Sequence, residues 1–383
     1  MLCRQRPDLS DLSIRTQEGI LVKNSKNISI KELIAEKAIY LVFIILLVAI
    51  VVVEPRFLSF NNFKNIFAQS STKIIIALAA GMVLVVQGVD LSTGRMIGLA
   101  AVIFASLVQN PDYAYRMYPN LKELPLIVPL LLVLAICLVL GGISGVLVAV
   151  FKVPPFIATL GMQLILYGAS SIYFDRPPYG AQPIGGIDSK VTQIAIGSIG
   201  IGDFQIPYLI IIAAAVCVVM WIVWNKTKFG KYMFAVGGNP EAAKVSGVNV
   251  IKTQIMVYAI AGMMYAFAAA LEVGRIGSAS NTTGNGYEMD AVAACVIGGV
   301  SLSGGVGSVG GIVIGVLMFT VINYGLAFIG VNMYWQYIVK GLIILLAVII
   351  ICCSKRNRPQ RTALRFGSVL ENGAVFRQVS PKT

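Results

Sequence analysis

The residues able to do chemistry in this chain are few, and they stand in three short polar stretches between long apolar ones. In the first, Gly88-Val-Asp-Leu-Ser-Thr-Gly-Arg, the carboxylate of Asp90 and the guanidinium of Arg95 lie five residues apart. Charges inside an apolar stretch are functional candidates by default, because an idle one is costly. The alternatives are a mutual ion pair or solvation at an interface. In the second, 278–290, Asn281 and Glu288 offer hydrogen-bonding groups to a hydroxylated solute. Glu288 and Asp290 also suit a helix N-terminus, where the dipole favours acids.

The third is Gly237-Gly238-Asn239-Pro240-Glu241-Ala242-Ala243-Lys244-Val245-Ser246-Gly247. Asn239 is a capping residue, Pro240 suits a first helical position, and Gly247 stops the turn. A short helix faced with Ala242 and Ala243 offers little ligand chemistry and suits insertion into a groove on a partner. The other reading is an ordinary connector.

Several chemistries are absent. The chain has no histidine, the commonest general base and metal ligand. The phosphate-cradling pattern G-x-x-x-x-G-K-[ST] is not found, since Gly230-Lys231 is followed by Tyr232. No cofactor or metal is implied, and any ATP that drives this protein is hydrolysed by another polypeptide. The six cysteines are scattered and form neither a disulfide framework nor a ligand set.

The positioning elements follow from composition. The chain is 57% hydrophobic and 12% charged with mean hydropathy +0.83, against roughly 25% charge in a soluble domain. It is therefore an all-α polytopic membrane protein. Apolar stretches long enough to cross a bilayer predict about ten helices: 38–53, 69–89, 93–109, 126–150, 155–174, 207–224, 255–273, 290–302, 308–328 and 335–353. The domain reading is a transmembrane body over 38–353 with disordered basic ends, 1–37 and 354–383. No cleavable signal is evident, so the first helix is an anchor.

The formal charge of +13 reflects topology rather than nucleic acid. Lys and Arg concentrate in 1–37, in 225–254 and after Cys353, and short basic segments stay on the cytoplasmic side. Ten crossings put all three there, with both termini cytoplasmic. The segment 54–68, assigned outside, resists with Arg56 and Lys64. Lys340 is expected to snorkel to the outer surface.

Glycine pairs such as Gly298-Gly299, Gly304-Gly305 and Gly310-Gly311 read as packing surfaces. One pattern repeats: Gly88-Val-Asp-Leu-Ser-Thr-Gly94 recurs as Gly299-Val-Ser-Leu-Ser-Gly-Gly305. Both copies fall at turns on the same side, which suggests a parallel internal repeat of crossings one to four and seven to ten. Such repeats build transport paths at their interface, and they also suit an ion-coupled secondary sugar transporter, the alternative reading. The chain lacks paired catalytic carboxylates, which argues against a membrane-embedded enzyme.

Taken together, Asn225-Lys-Thr-Lys-Phe-Gly-Lys, Ala235-Val-Gly-Gly-Asn-Pro-Glu-Ala-Ala-Lys-Val-Ser-Gly-Val and Gly88-Val-Asp-Leu-Ser resemble the membrane permeases of bacterial sugar ABC importers of the ribose/galactose/xylose group. The runs Leu271-Glu-Val-Gly-Arg-Ile-Gly-Ser-Ala, Val321-Ile-Asn-Tyr-Gly-Leu and Tyr334-Trp-Gln-Tyr-Ile are most similar to its galactose/methyl-galactoside branch. The resemblance covers about 38–350. It implies a homodimeric pore in the lipid of the bacterial inner membrane, fed by a periplasmic sugar-binding protein and driven by a cytoplasmic ATP-binding subunit. That subunit would dock on the loop holding Gly238, Asn239, Pro240, Glu241, Ala242, Ala243 and Gly247. Asp90, Arg95, Asn281 and Glu288 are the candidates for the translocation path.

Overall fold

A computed structural model describes residues 30–175, 180–201 and 204–356. The chain divides into one compact unit, Ile39–Ile349, and a second made of Met1–Ala38 with Ile350–Thr383. The described part of the second unit is the outer ends of the first and last helices. The predicted disordered ends lie mostly outside the described residues; where described, 30–37 and 354–356, they continue those helices.

The helices are α1 (Ile30–Val53), α2 (Phe60–Val85), α3 (Thr93–Leu107), α4 (Ile127–Ala149), α5 (Pro155–Phe174), α6 (Ser189–Ile196), α7 (Tyr208–Lys226), α8 (Lys228–Gly238), α9 (Pro240–Val245), α10 (Val250–Ile276), α11 (Tyr287–Ile297), α12 (Val309–Phe328) and α13 (Met333–Arg356). Ten of them follow the ten predicted crossings in order. Six (α2, α4, α5, α7, α10 and α12) are long and apolar enough to span a membrane alone, and α1, α3 and α13 contribute shorter apolar stretches. An antiparallel hairpin, β1 (Ser198–Ile201) with β2 (Phe204–Pro207), qualifies the all-helical expectation.

Burial sorts the spans. The apolar window of α2 is 83% buried and that of α10 61%, against 22% for α7, so α2 and α10 form the axis and α4, α5 and α7 present Leu, Ile and Val outward. With no hydrophobic drive between helices in lipid, the axis is held by close backbone approach at small residues. A Cβ added at Gly141 of α4 would lie 2.3 Å from the Tyr258 carbonyl of α10, and one at Gly262 of α10 would lie 2.2 Å from the Cys137 carbonyl of α4. Gly141 and Gly145 have the spacing that allows such a crossing.

Element boundaries depart from the expected ones for local reasons. α2 starts at Phe60 rather than 69 because the Ser59 hydroxyl accepts from the Asn62 N–H, 3.4 Å. Lys64 is therefore helical, its Nζ 3.4 Å from Gln205 Oε1 on β2. Lys340 does not snorkel: its Nζ is 3.3 Å from both carboxylate oxygens of Asp290 on α11, a charge-assisted contact.

The repeated motif also needs correcting in register. α2 and α11 end in the same motif, in which the second residue past the cap bonds back across the last turn. Gly88 donates to Val83 and Gln87 to Leu84 in one; Val300 donates to Cys295 and Gly299 to Val296 in the other. Gly299 (φ +84°) thus stands where Gln87 (φ +65°) stands, one residue out of step with the sequence match. The two turns are also neighbours, since the Gly305 N–H donates to the Val85 carbonyl, 2.9 Å.

Candidate functional site

The expected loop 225–254 folds as two helices. Thr227 caps α8, its hydroxyl 3.2 Å from the Gly230 N–H, and α8 buries Met233 and Val236 against the core. The break to α9 falls at Asn239, which is extended (φ −159°) and accepts the Ala242 N–H, 3.0 Å, with Pro240 next. Gly247 (φ +81°) ends it. Of the residues here, Ala243 faces inward while Asn239, Glu241 and Ala242 are outward. Val245 is 89% exposed, an apolar tip with no intrachain partner.

The tightest contact between this segment and the bundle is at the end of α8. Gly237, the next-to-last residue of α8, meets the end of α2 so closely that a Cβ would lie 1.7 Å from the Val85 carbonyl and 2.7 Å from the Gly305 nitrogen. The Gln87 amide donates to the Gly237 carbonyl, 2.9 Å. The end of α8, the end of α2 and the turn before α12 therefore converge. Beside them a cavity of about 820 Å³ opens between α9, the 86–88 turn and the α4–α5 turn, bounded by Gln87, Lys152, Glu241 and Lys244.

From Gln87 the chain enters the bundle as irregular backbone before α3 begins. Such backbone is tolerated at membrane depth only when enclosed by protein. The Asp90 side chain, 5% exposed, accepts from the Ser92 N–H (2.9 Å) and hydroxyl (2.6 Å) and so holds the turn into α3. It is not paired with Arg95. At 15 residues α3 is about 22 Å long, short of the roughly 30 Å hydrocarbon layer, and Arg95 lies in its first turn.

Arg95 points to the 278–286 loop, with Nη1 3.3 Å from the Asn281 carbonyl and Nη2 3.0 Å from Asn285 Oδ1, and its guanidinium lies 4.2 Å over the Tyr167 ring of α5. The Asn281 amide donates to Ser171 on α5, 3.2 Å. Glu288 is 7% exposed and packs on Gly94, where a Cβ would sit 2.2 Å from its Oε2. The structure thus brings Arg95, Asn281 and Glu288 together with Asn285 and Tyr167, which sequence reading missed. It turns Asp90 away from them.

Two short helices, α3 and α11, are packed start against start, and a separate capped knob, α9, stands on another part of the bundle. A family model described as "Branched-chain amino acid transport system / permease component" matches residues 62–348. The chain belongs to that permease family. It is 51% identical over 319 residues to the galactose/methyl galactoside import permease of Haemophilus influenzae, covering 83% of this chain and 94% of that one. The counterpart from Escherichia coli is 52% identical over 313 residues, 82% and 93%. The Escherichia coli ribose import permease is 37% identical over 314 residues, 81% and 92%. No solved structure matches. The protein is thus a multi-pass membrane transport component.

One further site in the permease escaped the sequence reading. Glu272 on α10, 1% exposed, accepts from Thr72 (2.8 Å), Tyr287 (2.9 Å) and both Nε (3.1 Å) and Nη2 (2.6 Å) of Arg275. It ties α2, α10 and α11 together beside the Asp290–Lys340 pair. The signal was available: an acid and an arginine three apart in an otherwise apolar helix. Every oxygen is engaged, which is what a buried charge needs to be tolerated.

Proposed function

We propose that this chain is the membrane-spanning permease subunit of an ATP-driven, binding-protein-dependent importer of galactose and methyl galactosides. The observation that carries the reading is identity at about half of the aligned residues, over 82–83% of this chain, with two permeases named for that import. The chain has no nucleotide cradle of its own. It works with a separate cytoplasmic ATPase and a periplasmic sugar-binding protein, in the inner membrane, with both termini and the α9 knob cytoplasmic.

The ATPase grips α9, with Gly238, Asn239, Pro240, Glu241, Ala242, Ala243 and Gly247 shaping the knob and the exposed Val245 as its apolar tip. Two copies form the pore. Support for this is the polar patch of Arg95, Asn281, Asn285 and Tyr167, part-exposed on one flank of a single chain; facing lipid it would be unfavourable, and a second copy would enclose it around a wet path. In this reading Asp90 and Glu288 hold the turns that aim it.

The test is uptake of radiolabelled galactose into proteoliposomes with and without the ATPase, the binding protein and ATP. Transport that needs all three is expected, and Val245→Asp should abolish it while leaving insertion and melting temperature unchanged. Ionophore-sensitive, ATP-independent uptake would overturn the assignment in favour of an ion-coupled carrier.

A further inference from the structure

On the face opposite α9, where α3 ends and α4 begins, two cavities share a wall. The first, about 340 Å³, is polar, lined by Arg116, Glu123, Asp188 and Lys190. The second, about 160 Å³, is apolar, lined by Leu130, Ile194, Ile212 and Phe267. Leu126 and Val191 border both, so the charged mouth and the greasy slot of this hollow adjoin across one wall.

Arg116 is the unexplained group. Its side chain is 6% exposed, its Nε is sealed from solvent without an acceptor, and among the described residues its guanidinium makes no hydrogen bond or ion pair. A buried guanidinium keeps its charge, and leaving it without an acceptor is expensive. The other three charges are partly accounted for. Lys190 hydrogen-bonds Glu123 at the rim, which pushes the Lys190 pKa above its ordinary value. Asp188 caps α6 through one oxygen, accepting the Lys190 N–H at 2.8 Å. What remains facing the cavity is one guanidinium, with one spare oxygen each on Asp188 and Glu123.

We propose that this hollow binds a membrane phospholipid with a zwitterionic, primary-amine head group, its phosphate on Arg116, its ammonium toward Asp188 and one acyl chain in the slot. The head group decides the selectivity. An acyl chain gains little on moving from bilayer to an apolar slot, since both are hydrocarbon. A phosphate matches the planar fork of arginine, and an ethanolamine ammonium supplies the donors that a choline lacks. A lipid with net negative charge would satisfy Arg116 but set its excess charge against Asp188 and Glu123. The position fits a lipid, since Ile194 and Ile196 of α6 are exposed beside the mouth, on a short helix able to lie at the interface.

The test is native mass spectrometry of the full-length permease, delipidated and re-exposed to vesicles of phosphatidylethanolamine, phosphatidylglycerol or phosphatidylcholine. Wild type should retain one phosphatidylethanolamine per chain in preference to the other two. Arg116→Gln should lower that occupancy about tenfold, the loss expected for one charged hydrogen bond of roughly 1.5 kcal/mol. Asp188→Asn, which still caps α6, should erase the preference over phosphatidylcholine while keeping lipid bound. Equal retention by Arg116→Gln, or phosphatidylglycerol held as tightly, would overturn the proposal. Inorganic phosphate alone raising the melting temperature of wild type but not of Arg116→Gln would reassign the site to a free anion. Circular dichroism of both variants guards against misfolding.

Discussion

The junction between the knob and the bundle makes a paired prediction, because Gly237 and Gly238 are adjacent and face opposite worlds. A Cβ at Gly238 meets nothing within 4 Å, whereas one at Gly237 lands 1.7 Å from the Val85 carbonyl, a contact real Cβ atoms avoid below 3.0 Å. Gly237→Ala must therefore part α8 from α2 by about 1.3 Å. That opening carries the 2.9 Å hydrogen bond across the seam, Gln87 to Gly237, past bonding distance. Overpacking costs about 1–3 kcal/mol and the lost bond about 1 kcal/mol, so the local cost is about 2–4 kcal/mol. Gly238→Ala should be neutral or gain up to about 1 kcal/mol from helix propensity. The assay is galactose uptake in cells lacking their own permease, normalised to permease in the membrane, together with melting of the purified protein. Gly237→Ala should transport poorly and melt lower, and Gly238→Ala should match wild type in melting temperature. Equal behaviour of the two alanines would refute the close-approach reasoning.

Three other outcomes follow from the same geometry. Glu272→Gln leaves Arg275 without its carboxylate and should cost about 3–5 kcal/mol, seen as a lower melting temperature, while the double change Glu272→Gln, Arg275→Gln recovers part of it in a double-mutant cycle. Asn239→Ala removes the α9 cap and should cost about 1 kcal/mol, read as faster proteolysis between α8 and α10 with the bundle melting unchanged. Lys190 carries a raised pKa through its bond to Glu123, so any contribution it makes is present below pH 10.5 and lost above. Because both partners are well exposed, Lys190→Gln should leave the melting temperature at neutral pH unchanged.

The sequence makes some of this architecture readable and hides the rest for identifiable reasons. Most crossings are legible because lipid allows no compromise on backbone hydrogen bonding, so a helix that spans alone reads as a long apolar run. α9 is legible because Asn239, Pro240 and Gly247 are local signals that need no tertiary partner. The boundaries of α2 were missed at both ends, since Ser59 and Gln87 act through single bonds invisible to hydropathy. Gln87 is the harder miss: nothing in its type announces a left-handed backbone, and the repeat drew the eye to Gly88 instead. The Glu272 cluster joins residues up to 200 positions apart, and only the fold says which acid meets which donor. Asp90 and Arg95 looked like a pair by spacing, yet Ser92, two residues from Asp90, competes for its carboxylate at shorter range.

Gln87 also offers the sharpest way to separate stability from coupling. It holds φ +65°, a conformation that costs a non-glycine residue roughly 1–2 kcal/mol, while its amide ties α8 to α2 through the Gly237 carbonyl. Seven residues on, past the buried Asp90 turn, stands Gly94, against which Glu288 of α11 is packed. In the proposed coupling, a push on α9 would reach both short helices through one side chain and one turn. Gln87→Gly relieves the backbone strain and deletes the tie, so its two effects on stability nearly cancel at about 1 kcal/mol each. Its effects on work do not cancel: ATP hydrolysis by the assembled complex should continue while sugar delivered per ATP falls severalfold. Should Gln87→Gly transport with the stoichiometry of wild type, force from the knob must enter the bundle elsewhere, through the packed face of α8 that buries Met233 and Val236.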